Sequence, residues 1–308
     1  MKKILVVYYS QSGQLTEIIE SVLTPLKKNE KITVVFEKLR PKKPYPFPWT
    51  RPEFCDAFPE AFQEIPCELE PFSFHSEDDF DLIILAYTVW YLSPSTPISS
   101  FLQSPEAEKV IRNRPVITLI GCRNMWLQAQ EKVKRRISAL GGEIKGNIVL
   151  MDHAMNLIGI VTIAAWMFTG KKDRFFKIFP RPGVSDRDIQ DAGRFGNLIL
   201  ESLSNEKIDL DQMVLNRHGA VAVIPAYIIF EQRIQRVFSA WSKFILQKGG
   251  PGDPDRKFRV QLFFYYLLIA IVLIAPLATL VSWVVRIFNK RKIKAAVAYF
   301  SQNQPKTF

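Results

Sequence analysis

Residues 3–9, Lys-Ile-Leu-Val-Val-Tyr-Tyr, form a short apolar run that stops at Ser10-Gln11-Ser12-Gly13-Gln14-Leu15-Thr16 and resumes as a helical spacing from Glu17. The pattern predicts a strand, a small polar loop and a helix start. Further apolar runs of strand length lie at 32–36, 82–87, 116–121 and 147–151. Helical periodicity marks 15–27, 96–103, 125–140 and 185–203 between and after them. Alternation of this kind predicts an α/β fold with a five-stranded parallel sheet covered by helices on both faces. Such a sheet binds ligands beyond the carboxyl ends of its strands, so the loops after the first, third and fourth strands share one rim.

Two insertions interrupt the alternation. Residues 40–75 carry Pro41, Pro44, Pro46, Pro48, Trp49 and Pro52 and read as an extended aromatic flap, either a lid or a packed surface loop. In 153–184, the stretch 154–168 is apolar on nearly all sides and is followed by Lys171, Lys172, Arg174 and Lys177, which predicts a buried or interfacial helix. Ser185 opens the next helix as a cap, with Asp186 and Asp188 in its first turn. A linker at 204–211 precedes an amphipathic segment with Arg233, Arg236 and Lys243 on one helical face.

The segment 260–285 contains no charged side chain and would extend about 39 Å as a helix. It reads as a single membrane span kinked at Pro276, or as a re-entrant hairpin that bends there, with basic residues on both flanks. These divisions give a sheet domain over 1–205, an amphipathic helical segment over 206–255 and a transmembrane or anchoring helix with a basic tail over 256–308. The expected location is the cytoplasmic membrane, with the sheet domain on the cytoplasmic side.

A net charge of +11 points to an acidic partner, and the apolar segments favour a membrane surface over nucleic acid. Cys55, Cys67 and Cys122 have neither Cys-x-x-Cys spacing nor paired histidines, so no disulfide framework and no metal site is expected. The basic start is followed by too short an apolar run for a secretory signal.

The chemistry lies in the rim loops. A helix N-terminus presents free backbone N–H groups, and Ser10, Gln11, Ser12, Gly13, Gln14, Leu15 and Thr16 form a loop that backbone and hydroxyl donors can wrap around an anion. No Lys or Arg lies between Lys3 and Lys27, and Gly13 is the loop's only glycine. Both the P-loop and the Gly-x-Gly-x-x-Gly dinucleotide fingerprint are thereby excluded. A phosphomonoester such as that of FMN fits the donor set, and an ordinary strand-to-helix turn fits it as well. After the third strand, Thr88, Val89, Trp90, Tyr91 and Leu92 offer aromatic walls and backbone donors to a flat ring. Gly121, Cys122, Arg123, Asn124 and Trp126 form the loop after the fourth.

In these three loops the chain resembles the flavodoxin-like FMN proteins: Tyr9 to Gln14 matches their phosphate loop, 88–92 with Pro94 and Phe101-Leu102 their second flavin loop, and 121–126 the third. The resemblance covers 1–152 and the helix at 185–203, and implies the strand order 2-1-3-4-5 with FMN as cofactor. Leu15 departs from the Thr often found there, and the basic charge departs from the acidic electron carriers. With its aromatic insertion and apolar tail, the chain is also similar to the dialkylresorcinol condensing enzyme and aromatase family of aryl-polyene and flexirubin pigment biosynthesis. That resemblance implies an FMN-dependent oxidoreductase that aromatises a lipid-like 2,5-dialkylcyclohexane-1,3-dione to a dialkylresorcinol, beside a separate ketosynthase-like partner. His153, His75 and Tyr87 are the candidate bases for such a reaction. The competing readings are an NAD(P)H:quinone reductase, a membrane-tethered electron-transfer flavodoxin and a flavodoxin-like scaffold that has lost FMN.

Overall fold

The computed structural model describes residues 1–75, 77–154, 156–174, 178–204, 210–274 and 289–303. The first half alternates as the pattern requires. β1 (Lys2–Tyr8), α1 (Gln14–Lys27) and β2 (Ile32–Lys38) lead into α2 (Arg51–Asp56) and α3 (Phe58–Gln63). Then come β3 (Leu82–Trp90), β4 (Ser93–Pro94), α4 (Thr96–Phe101), α5 (Pro105–Ile111), β5 (Pro115–Cys122), α6 (Leu127–Ala139) and β6 (Glu143–Met151). The remaining helices are α7 (Asn156–Thr169), α8 (Asp186–Asp191), α9 (Gly193–Ser204), α10 (Gln212–Arg217), α11 (Pro225–Leu246), α12 (Lys257–Ile269) and α13 (Lys290–Gln302).

Five strands run parallel in the order β2-β1-β3-β5-β6. Alternate residues of β1 enter different cores because both faces are covered: Leu5 and Val7 pack with α4, α5 and α6, while Ile4 and Val6 pack with α1 and α9. Gly196 lets α9 cross α1 closely, since a Cβ there would lie 1.9 Å from the Val22 carbonyl oxygen.

Three expectations are corrected. The sheet has six strands and not five, because β4 folds back antiparallel on β3 with Trp90 opposite Ser93 and Val89 opposite Pro94. Tyr91 and Leu92 make the turn, both left-handed at φ 49° and 62°, the conformation of a two-residue hairpin that usually takes Asn or Gly. A two-residue strand carries no periodicity to read. Second, the proline-rich insertion contains α2 and α3, because Pro52 and Pro59 occupy first turns where a missing N–H breaks no bond.

The third correction removes the membrane span and with it the basis for a cytoplasmic-membrane location. Among the described residues no helix is long and apolar enough to cross a membrane. α12 has 13 residues, about 20 Å of helix against a hydrocarbon core of about 30 Å. It runs into a π-helical turn at Ala270–Ile274, and the rest of the expected span, 275–288 with Pro276, lies outside the described residues. Val260 and Phe263 of α12 instead join a third core with Cys55, Phe58, Phe62 and Ile245.

That third core is fastened by a buried ion cluster. Arg256 is fully buried and donates to Asp56 at 2.6 Å and to Glu60 at 2.6 and 3.3 Å. Burial works against the guanidinium charge, and the bonds to the two carboxylates outweigh it and raise its pKa. Removing one partner from such a cluster strands the others. Arg256→Ala is expected to cost about 3 kcal/mol of unfolding free energy, read from urea denaturation.

Candidate functional site

The three loops meet where the parallel strands end. Gly13 is the N-cap of α1 at φ 89°, with no side-chain cap, and a Cβ on it would touch nothing within 4 Å, so the glycine serves the backbone angle and not a tight fit. Ser10 Oγ accepts from the Thr16 amide at 3.3 Å. Both glutamines of the loop serve as ties. Gln11 donates to the Pro46 carbonyl at 2.7 Å and accepts from Trp49 Nε1 at 3.1 Å, while buried Gln14 exchanges two bonds of 3.0 Å with the Val184 backbone. Ser12, Gly13 and the amides of Gln14 and Leu15 remain to meet an anion.

A cavity of about 160 Å³ opens beside this N-terminus, lined by Gln11, Ser12, Gln14 and Leu15, by Thr88, Val89 and Trp90, and by Gly121, Cys122 and Arg123. Ile18 of α1 and, from the two insertions, Phe47, Ile163, Trp166, Met167 and Gly183 complete the wall. Phe47 and Trp166 meet edge to face at 6.2 Å between ring centres. The flap is therefore folded onto the rim: Trp90 packs edge-on against Tyr9, Tyr45 and Trp49 at 5.9, 5.0 and 5.6 Å.

The rest of the second loop faces elsewhere. Tyr91 donates its hydroxyl to the Phe54 carbonyl in the third core, where burial raises its pKa far above the usual phenol value. Leu92 is buried in the hairpin. Lys132 steadies that hairpin by donating to Ser93 Oγ at 2.7 Å and to the Phe62 carbonyl, and burial pulls its pKa down to about 8.

In the third loop, burial raises the Cys122 thiol well above its ordinary pKa, so it stays protonated and is a poor nucleophile. Arg123 is the cavity's only cation among the described lining residues. Its Nη1 donates to Asn124 Oδ1 at 3.3 Å, its guanidinium lies against Gly159 of α7, and burial lowers its pKa. Asn124 donates to the Tyr227 hydroxyl at 2.9 Å, outside the cavity lining. Trp126 is 2 % exposed and belongs to the core beneath α6.

None of the three candidate bases lines the cavity. Tyr87 is buried in the core and donates to Gln130 Oε1 at 2.6 Å, with its pKa raised well above the ordinary value by burial. His75 is exposed next to Asp78, which pairs with Lys3 at the start of β1, the opposite end of the sheet from the rim. His153 follows β6 but points outward, its side chain 69 % exposed and 3.9 Å from Asp188.

Sequence reasoning missed Glu231. Fully buried on α11, it accepts the Leu127 and Gln128 amides at 3.2 and 2.7 Å and so caps α6, which has no cap of its own. A lone acid among the apolar positions of 225–246 was the available signal.

No family model matches the chain. Two curated relatives are malate dehydrogenases, from Methanosarcina acetivorans at 30% identity over 105 residues and from Methanosarcina mazei at 30% over 119. The alignments span 32% and 36% of this chain and of the respective relatives, so the chain spans about a third of their length. Among solved structures, the chain is similar to a flavoprotein from Lactobacillus acidophilus in complex with FMN, with 17% identity, TM-score 0.39 and coverage of 48% of this chain and 93% of that one. A flavodoxin from the domain Archaea aligns at 13% identity and TM-score 0.36 over 66% of this chain and 99% of its own. RosB with a bound riboflavin-phosphate intermediate aligns at 11% identity and TM-score 0.33 over 73% and 89%.

Burial raises the Glu231 pKa from 4.5 to about 8, with the two capping amides partly opposing it. The folded state then holds a proton that the unfolded state releases, so stability falls as pH rises from 4.5 to about 8 and levels off above it. Glu231→Gln keeps an acceptor for α6 and is expected to remove this slope, measured by urea denaturation across that range.

Proposed function

We propose that this chain is an FMN-dependent oxidoreductase acting on an apolar, lipid-like substrate at the rim cavity. The observation that carries the reading is the convergence of loops 10–16, 88–90 and 121–123, from three neighbouring parallel strands, on one cavity beside a helix N-terminus whose N-cap is glycine. Ser12, the Gly13 backbone and the first-turn amides suit a phosphate. Val89, Trp90 and Trp166 offer a flat ring apolar walls, and Arg123 offers a cation to an oxygen at its edge.

The cavity is smaller than the roughly 300–1,000 Å³ of a typical small-molecule site. Its cover is formed by Phe47 of the flap and Ile163, Trp166 and Met167 of α7, not by the sheet. Phe47 and α7 would have to move aside to admit a group the size of FMN. When bound, FMN supplies the capacity to accept a hydride. In the chain itself, Ser12 and the free amides of α1 would hold the phosphate, Phe47 and Trp166 would keep water out, and Arg123 would supply a cation.

In its finest form the reading is dehydrogenation of a 2,5-dialkylcyclohexane-1,3-dione to a dialkylresorcinol, with the carbon skeleton made by a separate ketosynthase-like enzyme. The apolar cover and the family resemblance support it. The full chain is expected to bind one FMN, and Ser12→Ala with Gly13→Val to lose it without loss of the fold, read from flavin absorbance after gel filtration and from circular dichroism. Retained flavin in that variant refutes the phosphate cradle. Anaerobic bleaching of the flavin by the dione, with one resorcinol formed per flavin, is the expected outcome for the substrate; no bleaching rejects the substrate and leaves the FMN site standing.

A further inference from the structure

A second cavity, of about 730 Å³, lies between α2 and α12 and takes no part in the rim site. Its volume falls within the roughly 300–1,000 Å³ range of small-molecule sites. Cys55, Val260 and Phe264 form an apolar wall, and Tyr265 stands half exposed at its edge. One end is fixed, because the turn that closes it is held by Arg256 on Asp56 and Glu60.

The charged groups around it are unevenly committed. Asp56 accepts from Arg256 at 2.6 Å and from the Gly252 amide at 2.8 Å. Glu53 accepts from Thr50 Oγ1, and Asp253 accepts from the Asp255 amide at 2.9 Å. Arg51 and Lys257, like Glu53 and Asp253, make no ion pair among the described residues, but neither cation has a side-chain hydrogen bond there either, and Arg51 only leans over the Phe264 ring at 5.9 Å. An apolar trough flanked by two uncommitted cations complements an anionic head on a hydrocarbon tail.

We propose that the groove between α2 and α12 binds one long-chain carboxylate, with its alkyl chain along Cys55, Val260 and Phe264 and its carboxylate between Arg51 and Lys257. The site is independent of the rim cavity, with which it shares no lining residue. Its link to that cavity is α2, whose Phe54 turns the other way, onto Trp49 and Tyr91 at 6.0 and 5.2 Å.

Calorimetric titration of the full chain with sodium dodecanoate, below its micelle concentration, tests this. One saturable site is expected. Dodecanol in place of dodecanoate, or Arg51→Gln with Lys257→Gln, should weaken binding about tenfold, the worth of a charge-assisted contact. Gln261→Trp, at an exposed lining position, should fill the trough and abolish binding, with melting curves reporting that each variant folds. If Gln261→Trp fails to fold, the paired glutamine variant decides. Absence of a saturable site, equal binding by dodecanol, or displacement of dodecanoate by FMN overturns the proposal. A dimer in sedimentation that Gln261→Trp disperses and dodecanoate does not would assign the groove to a second copy of the chain and overturn it equally.

Discussion

The parallel register of the central strands is the constraint on which the site depends. Tyr8 lies opposite Ala86, Thr88 opposite Gly121 and Cys122 opposite Met151, so each strand ends within a few residues of its neighbour. Backbone hydrogen bonding fixes that spacing, and the apolar residues on both faces prevent a slip, because a shift of one residue would exchange the two cores. Loops that leave such an edge must meet. Any chemistry at the rim is thus a consequence of sheet register before it is a matter of loop sequence.

What the loops do divides sharply between structure and site. Gln11 and Gln14 look like phosphate ligands in a linear reading but are spent on Pro46, Trp49 and Val184, where they fasten the two insertions to the rim. Tyr91 and Leu92 supply the hairpin and not the wall, and their left-handed backbone is strain that Lys132 and the third core hold in place. Beside the two glutamines, the described cavity lining combines small residues, aliphatic and aromatic side chains and one arginine.

The sheet was legible in the chain because its strands are long apolar runs: the expected 32–36 and 116–121 lie inside β2 and β5. The start of β6 was not, since Glu143 and Lys145 are polar and partly exposed at the sheet's far end. Helices in the proline-rich insertion were hidden because proline at a first turn and proline within a turn look alike in sequence. The lining residues Gln11, Ser12, 88–90 and 121–123 follow strand ends that the sequence pattern already marks. Phe47, Trp166 and Glu231 could not, because each reaches its place through a tertiary contact far from it in sequence. The packing of α12 was equally hidden: Val260 and Phe263 face a partner core that local hydropathy does not reveal, while Phe258, Leu262, Leu268 and Ile269 stay exposed.

The most direct measurement of the central claim is amide hydrogen exchange on the intact chain with and without FMN. Joint slowing of exchange in 10–16, 88–90 and 121–123, together with α7, is the predicted result, since one ligand would bridge all three loops beneath the insertion helix. Protection confined to a single loop, or found only elsewhere in the molecule, would contradict the account.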